Sequence, residues 1–325
     1  MNRISAPPRN ARIAGFVPVA LIAMCTIHTA MAEQTLPLYD GAIPNSIEVP
    51  DEEALRDPKE PYPFFLSISR PTITIHRAAG QGVHPAIVIL PGGSYRGVSI
   101  VKEGHDVARA FNAMGITALV VKYRTPSERH MTNRSLGALQ DAQRAMWLAR
   151  QRADEWGIDA RRVGLLGFSA GGHLAATVAT RFNQPVLREW QGANLRPDFL
   201  ILMYPVINLG DDIAHATSRE MLLGAQPSKA DKALFSADLA VTADAPPTFL
   251  IHAADDAGVP VANSIRYFEA LQSHGVAAQL YIYTAGGHGF GLNNATTTDR
   301  WIDRVQTWLI AHQWLPAAAP ERASR

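Results

Sequence analysis

The run Val163-Gly164-Leu165-Leu166-Gly167-Phe168-Ser169-Ala170-Gly171-Gly172-His173 decides the fold class of this chain. Val163 to Phe168 is apolar and long enough for one buried strand. From His173 to Phe182 the period changes, and Leu174, Val178 and Phe182 share a helical face with Ala175. Between the two, Gly167-Phe168-Ser169-Ala170-Gly171 has the G-x-S-x-G spacing of a nucleophile elbow, a sharp strand-to-helix turn with serine at its tip. The chemistry explains the spacing. A serine hydroxyl is a weak nucleophile that must protrude toward both a base and a carbonyl. Glycines two before and two after remove side chains that would collide across so tight a turn. The residue after the serine opens the helix, so the N–H of Ala170 is expected to face a developing oxyanion.

Outward from this centre, strands and helices alternate. Alternating Thr72-Ile73-Thr74-Ile75-His76-Arg77 reads as a half-buried strand, and 85–90 as a fully apolar one. A helix is expected over 104–114, a strand over 116–123 and a long amphipathic helix over 136–156. Beyond the serine come strands at 199–204, 247–252 and 278–283, with helices at 263–274 and 299–310. Continuous apolar strands separated by helices imply a mostly parallel sheet with helices on both faces, an α/β fold. Three segments break the rhythm. Residues 33–71 read as an irregular, proline-rich arm, 206–245 as an insertion placed to cover substrate, and 316–325 as a disordered tail.

A nucleophilic serine needs a histidine base, and the histidine needs an acid to fix its tautomer. Both are available after Ser169, each beyond a predicted strand: Asp255-Asp256 after 247–252, and His288 within Gly286-Gly287-His288-Gly289-Phe290-Gly291 after 278–283. The carboxyl ends of parallel strands share one crevice, so residues far apart in the chain can converge there. Of the two aspartates, one is expected to serve as acid and the other to cap the helix near Val261; Asp256 is the favoured acid. His252, Asp255 and Asp256 could also form a metal set, a reading the triad pattern disfavours. His173, one helical turn beyond the serine, reads as a packing or supporting residue. The turn Pro91-Gly92-Gly93-Ser94 follows an earlier strand, where Gly93 and Ser94 are placed to offer backbone N–H groups beside that of Ala170.

Composition narrows the class. The chain has 325 residues, 47% hydrophobic and 18% charged, enough for one sizeable core. Arg3, Arg9 and Arg12 precede an apolar run from Ile13 to about Ile27, and Ala30-Met31-Ala32 offers small residues for cleavage. That is the layout of a secretory signal peptide over 1–32. The run is short for a membrane anchor and contains Pro18, so no stable membrane association is expected after cleavage. Removing it takes three of the 30 basic residues and no acid, leaving 27 against 29, a formal charge of −2. No basic patch points to nucleic acid. Cys25, the single cysteine, leaves with the leader, which rules out disulfides and thiol chemistry in the mature chain.

Together, Pro91-Gly92-Gly93-Ser94-Tyr95, Lys102-Glu103-Gly104-His105-Asp106-Val107-Ala108, Gly167 to His173, Pro246-Pro247-Thr248-Phe249-Leu250 and Gly286 to Gly291 resemble the α/β-hydrolase serine esterases. Within them the chain is similar to the exported bacterial branch called acetylxylan esterase-like or feruloyl-esterase-like. The likeness runs from about Thr72 to Trp314. In that family the turn is usually Gly-Gly-Gly, and Ser94 stands here at the third place. The resemblance implies Ser169 as nucleophile, Asp256 as acid and His288 as base, with Gly93, Ser94 and Ala170 as the oxyanion hole. It implies no cofactor and no metal. It also implies a periplasmic or secreted enzyme that cleaves acetyl or related esters on xylan-type oligosaccharides. A prolyl-oligopeptidase-type peptidase and a catalytically silent carbohydrate-binding relative share the same motifs.

Overall fold

The computed structural model describes residues 33–316; the expected leader 1–32 and residues 317–325 of the tail lie outside the described residues. Chain order is β1 Gln34–Pro37, β2 Ala54–Leu55, β3 Phe65–Leu66, β4 Thr72–His76, β5 His84–Leu90, β6 Gly97–Val98, α1 Asp106–Ala113, β7 Thr117–Lys122 and α2 Arg134–Gln151. There follow α3 Ala153–Trp156, β8 Ile158–Phe168, α4 Ser169–Thr180, β9 Leu200–Met203, α5 Ala216–Leu223 and α6 Lys229–Leu234. The chain closes with β10 Thr248–Ala253, α7 Ala262–Ser273, β11 Ala278–Tyr283 and α8 Trp301–Ala311.

Eight strands form the main sheet in the order β1-β4-β7-β5-β8-β9-β10-β11. From β7 to β11 all neighbours are parallel, while β4 runs antiparallel to both β1 and β7. Strands β9 and β10 are buried along their whole length and β5 from Pro85 onward, as expected of strands covered on two faces. Successive side chains of β8 show the two coverings. A Cβ on Gly167 would lie 2.7 Å from Ala175 of α4, whereas Phe168 stacks edge-on against Trp301 of α8. Helices α2 and α4 pack on each other and on the central strands, α1 on β4 and β7, and α7 on β10 and β11. No described helix is long and apolar enough to cross a membrane.

Several expectations change. The arm is not wholly irregular: β1 extends the main sheet beyond β4, and β2 and β3 form a small antiparallel sheet with β6. Strand β4 is buried on both faces, not one, since β1 on its flank makes it an interior strand and α1 covers it. The helix expected over 136–156 starts at Arg134, where the Asn133 side chain accepts from Ser135 N–H, and breaks at Arg152. Arg152 leaves helical geometry (φ −102°, ψ 22°) so that the last turn can bury Trp156. Helix α4 begins at Ser169 itself, four residues before the apolar period starts. The insertion 206–245 holds α5 and α6, and Ile207, Leu209, Leu222 and Phe235 fasten it to the core.

Candidate active site

Ser169 sits in the left-handed region at φ +51°, which a residue with a Cβ occupies only under constraint. The constraint is steric. A Cβ on Gly167 would stand 2.2 Å from Gly171 O, and one on Gly171 2.2 Å from Leu90 O, both backbone atoms that cannot swing aside. A Cβ on Gly172 would stand 2.8 Å from the Pro205 ring. Three glycines therefore let α4 dive directly off β8, leaving Ser169 at the carboxyl edge of the sheet.

The carboxyl ends of β10 and β11 bring two more residues to this point. His288 Nε2 lies 2.8 Å from Ser169 Oγ, and His288 Nδ1 lies 2.7 Å from Asp256 Oδ2. The other carboxylate oxygen accepts N–H bonds from Gly258 (2.9 Å) and Val259 (2.8 Å). Burial works to raise the Asp256 carboxyl, but hydrogen bonds from His252, His288 and Val259 outweigh it and hold the group well below the usual carboxylate range. An ionised carboxylate only accepts, so His288 carries its proton on Nδ1 and turns the Nε2 lone pair toward the serine hydroxyl. Asp255 does not cap a helix. Its Oδ1 accepts from Gly287 N–H at 2.8 Å and so ties down the loop that carries His288.

His252 is the first residue that the sequence did not flag for this role. Its Nε2–H donates to Val259 O at 2.9 Å and lies 3.3 Å from Asp256 Oδ2, while Ser264 Oγ meets Nδ1 at 2.8 Å. It braces the acid rather than holding a metal. Among the described residues Glu33, His76 and His105 do come close enough together to share an ion. A 2.9 Å hydrogen bond already joins the two imidazoles, and the Arg109 guanidinium 3.6 Å from Glu33 opposes a cation.

The turn after β5 faces Ser169 from the other side. Gly93 (φ +147°), Ser94 (φ +56°) and Tyr95 (φ +57°) run through consecutive positive-φ conformations. A glycine would suit position 94 better for this reason, since the left-handed region costs an L-residue roughly 1–2 kcal/mol. The strain is held by anchors on each flank: Tyr123 OH donates to Pro91 O (2.6 Å), and Tyr95 OH meets His173 Nδ1 at 2.7 Å. His173 Nε2–H in turn donates to Phe235 O at 2.7 Å, and burial pushes its pKa down to about 4. No hydrogen bond among the described residues takes the N–H of Gly93 or Ser94, and Ala170, at the start of α4, has no intrahelical partner for its own.

Glu103, within the Lys102–Ala108 motif, is the second residue whose role the sequence does not reveal. Its buried carboxylate accepts from Gly92 N–H and from Tyr204 OH, both at 2.8 Å. Burial raises this carboxyl, and the two donors hold back the rise. The Tyr204 hydroxyl also accepts from Gly291 N–H (2.9 Å), and its ring packs edge-on against His288. A single acid thus joins the Gly93 turn to the histidine loop, a link across about 190 residues that no local pattern announces.

Ser169, Gly93, Ser94, Glu103 and His288 line a cavity of about 460 Å³. A second cavity, of about 620 Å³, continues past His288 and Gly289. The 206–245 insertion contributes none of the residues lining either cavity; the arm does, through Arg56, Glu60, Tyr62 and Phe64. The arm thus walls the cavity beside Ser169, while His215 of the insertion lies near enough to His288 and Asp256 to feel their charge.

The model of one protein family, BD-FAE, matches residues 74–271. The chain belongs to the BD-FAE family. It is an acetylxylan esterase-like α/β-hydrolase, and similar chains fit that placement. It is 36% identical over 229 residues to an acetylxylan esterase of Xylanibacter ruminicola, covering 69% of this chain and 45% of that one. It is 32% identical over 220 residues to endo-1,4-beta-xylanase B of Butyrivibrio fibrisolvens, covering 66% and 34%. The chain thus spans less than half the length of these two relatives. Among solved structures, the acetyl ester-xyloside bifunctional hydrolase of Caldicellulosiruptor lactoaceticus superposes with a TM-score of 0.69 at 32% identity, covering 87% of this chain and 97% of that one.

Proposed function

We propose that this BD-FAE family member is a serine carboxylesterase that removes acetyl groups from xylan-type oligosaccharides outside the cytoplasm. The observation that carries the reading is the unbroken relay Asp256–His288–Ser169, with bonds of 2.7 and 2.8 Å, beside a turn whose Gly93 and Ser94 N–H groups have no partner among the described residues. His288 Nε2 takes the Ser169 proton as Oγ attacks the ester carbonyl, and the ionised Asp256 stabilises the imidazolium formed. The tetrahedral oxyanion is received by the N–H groups of Gly93, Ser94 and Ala170, each worth about 2.7–4 kcal/mol in the transition state. His288 then gives its proton to the leaving alcohol, and a water activated by the same nitrogen releases acetate and restores Ser169. The scheme calls on no metal or organic cofactor. Export rests on the Arg3, Arg9 and Arg12 leader and the cysteine-free remainder; the acetyl-sugar assignment rests on the family and on what its relatives are called.

Acetate release from acetylated xylo-oligosaccharides, with p-nitrophenyl acetate alongside, tests the reading. Ser169→Ala is expected to lower kcat by about 10⁶ on both. Turnover of the artificial ester alone would retain the mechanism and remove the sugar; turnover that survives in the variant would remove the mechanism.

A further inference from the structure

The two cavities that meet at His288 offer far more room than an acetyl group fills. A water occupies about 30 Å³ of liquid, and a two-carbon acyl group is a small multiple of that. Most of the space must serve the alcohol half of the ester. Its walls are mixed, not those of a wholly apolar acyl-chain tunnel: Lys102, Asp106, Arg109, Asn293 and Thr296 line the larger cavity alongside Phe290 and Leu292. Besides His288, one aromatic ring belongs to both cavities. Tyr62 is 47% exposed, lines each of them, and stands with Lys102 Nζ 5.9 Å from its ring centroid.

The segment carrying Tyr62 is held in place. Gly97 has no Cβ because one would stand 2.2 Å from Phe65 O and 2.5 Å from the Phe64 ring. Gly93 is likewise bare where a Cβ would come within 3.1 Å of Phe64. The Arg56 guanidinium lies 4.5 Å from the Phe64 ring centroid and donates to both Glu60 oxygens. Pairing of Phe65 with Val98 and of Leu66 with Gly97 ties the segment to the strand just after the Gly93 turn. All of it lies outside the span 74–271 that the family model matches.

The geometry points to residues 56–64 as a sugar-binding wall, with Tyr62 as the platform for a xylose-type pyranose of the substrate. Such a ring presents a face of C–H groups that lies flat on an aromatic, and a rim of hydroxyls that suits the charged heads of Arg56, Glu60 and Lys102. The assignment deepens the esterase reading and rests on it, but its test includes a readout that does not depend on turnover.

Binding of unsubstituted xylotetraose to the Ser169→Ala protein, measured by calorimetry, should weaken about tenfold when Tyr62→Ala is added, and recover most of that with Tyr62→Phe. In the protein with its serine, Tyr62→Ala should lower the ratio of kcat/KM for acetylated xylotetraose to that for p-nitrophenyl acetate by a similar factor, through KM. Unchanged xylotetraose binding and an unchanged ratio in a folded Tyr62→Ala protein would overturn the wall. Failure of the serine-containing protein to turn over the sugar ester, with Tyr62-dependent binding intact, would instead overturn the esterase substrate while leaving the wall standing.

Discussion

The elbow and the arm meet in one cavity but are held by different physics. From Val163 to Thr180 every residue is buried, and the glycines at 167, 171 and 172 touch backbone or ring atoms at distances that admit no side chain. The arm between Asp51 and Tyr62 is mostly exposed and is fastened by two-residue strands and the Arg56–Glu60 pair, itself half-exposed. Close packing leaves the elbow one conformation and therefore one sequence pattern. The exposed arm packs against few atoms, which restricts residue type less at each of its positions.

The largest expected effect tests the relay that the elbow serves. Asp256→Asn removes the acceptor that sets the His288 tautomer, and kcat for any ester should fall by about 10⁴ with the fold retained. A loss of less than tenfold would transfer the role to Asp255, which now holds Gly287. Next, Gly171→Ala sets a methyl against Leu90 O and Pro91 O, and should cost about 3 kcal/mol of stability in denaturant unfolding.

His173, the elbow's link to the Gly93 turn, sharpens the comparison through pH. Its folded pKa, about 4, lies below the unfolded value of about 6.5, so the neutral ring contributes stability that is fully present above 6.5. That stability is lost as pH falls toward 4, because the unfolded chain takes up a proton the folded one refuses. The loss should be about 2–3 kcal/mol, and His173→Gln should flatten the dependence of melting temperature on pH across this window. A wild-type curve already flat there would mean the ring is less buried than the structure has it. The smallest effect belongs to the arm: Arg56→Ala should change unfolding stability by less than about 1 kcal/mol, as for other exposed pairs. A cost equal to that of Gly171→Ala would erase the distinction between the two regions.

Much of the site was legible because its residues stand at strand ends with local marks. The apolar run, the glycine spacing and the Gly-Gly-His-Gly loop each encode a tight turn, and tight turns restrict residue type on the spot. Glu103 and His252 carried no such mark. Their importance lies in what they touch, Gly92 and Tyr204 in one case and Asp256 in the other, and those contacts join segments that the sheet alone brings together. The arm at 33–71 reads as irregular because its strands are two to four residues long, too short to leave a period in the sequence, and partners such as β4 and β6 lie far along the chain.

By itself, then, the sequence determined the α/β class, a mostly parallel sheet of apolar strands, and the serine and histidine whose glycine-rich surroundings require a strand-turn context. Only the tertiary structure decided which of two adjacent aspartates faces His288 and which steadies its loop, how a serine is accommodated at φ +56°, and that the arm walls the cavity. Periodicity and turn chemistry act over a few residues and leave a local record. Contacts across a sheet depend on how whole elements pack, and no short stretch of the chain holds that information.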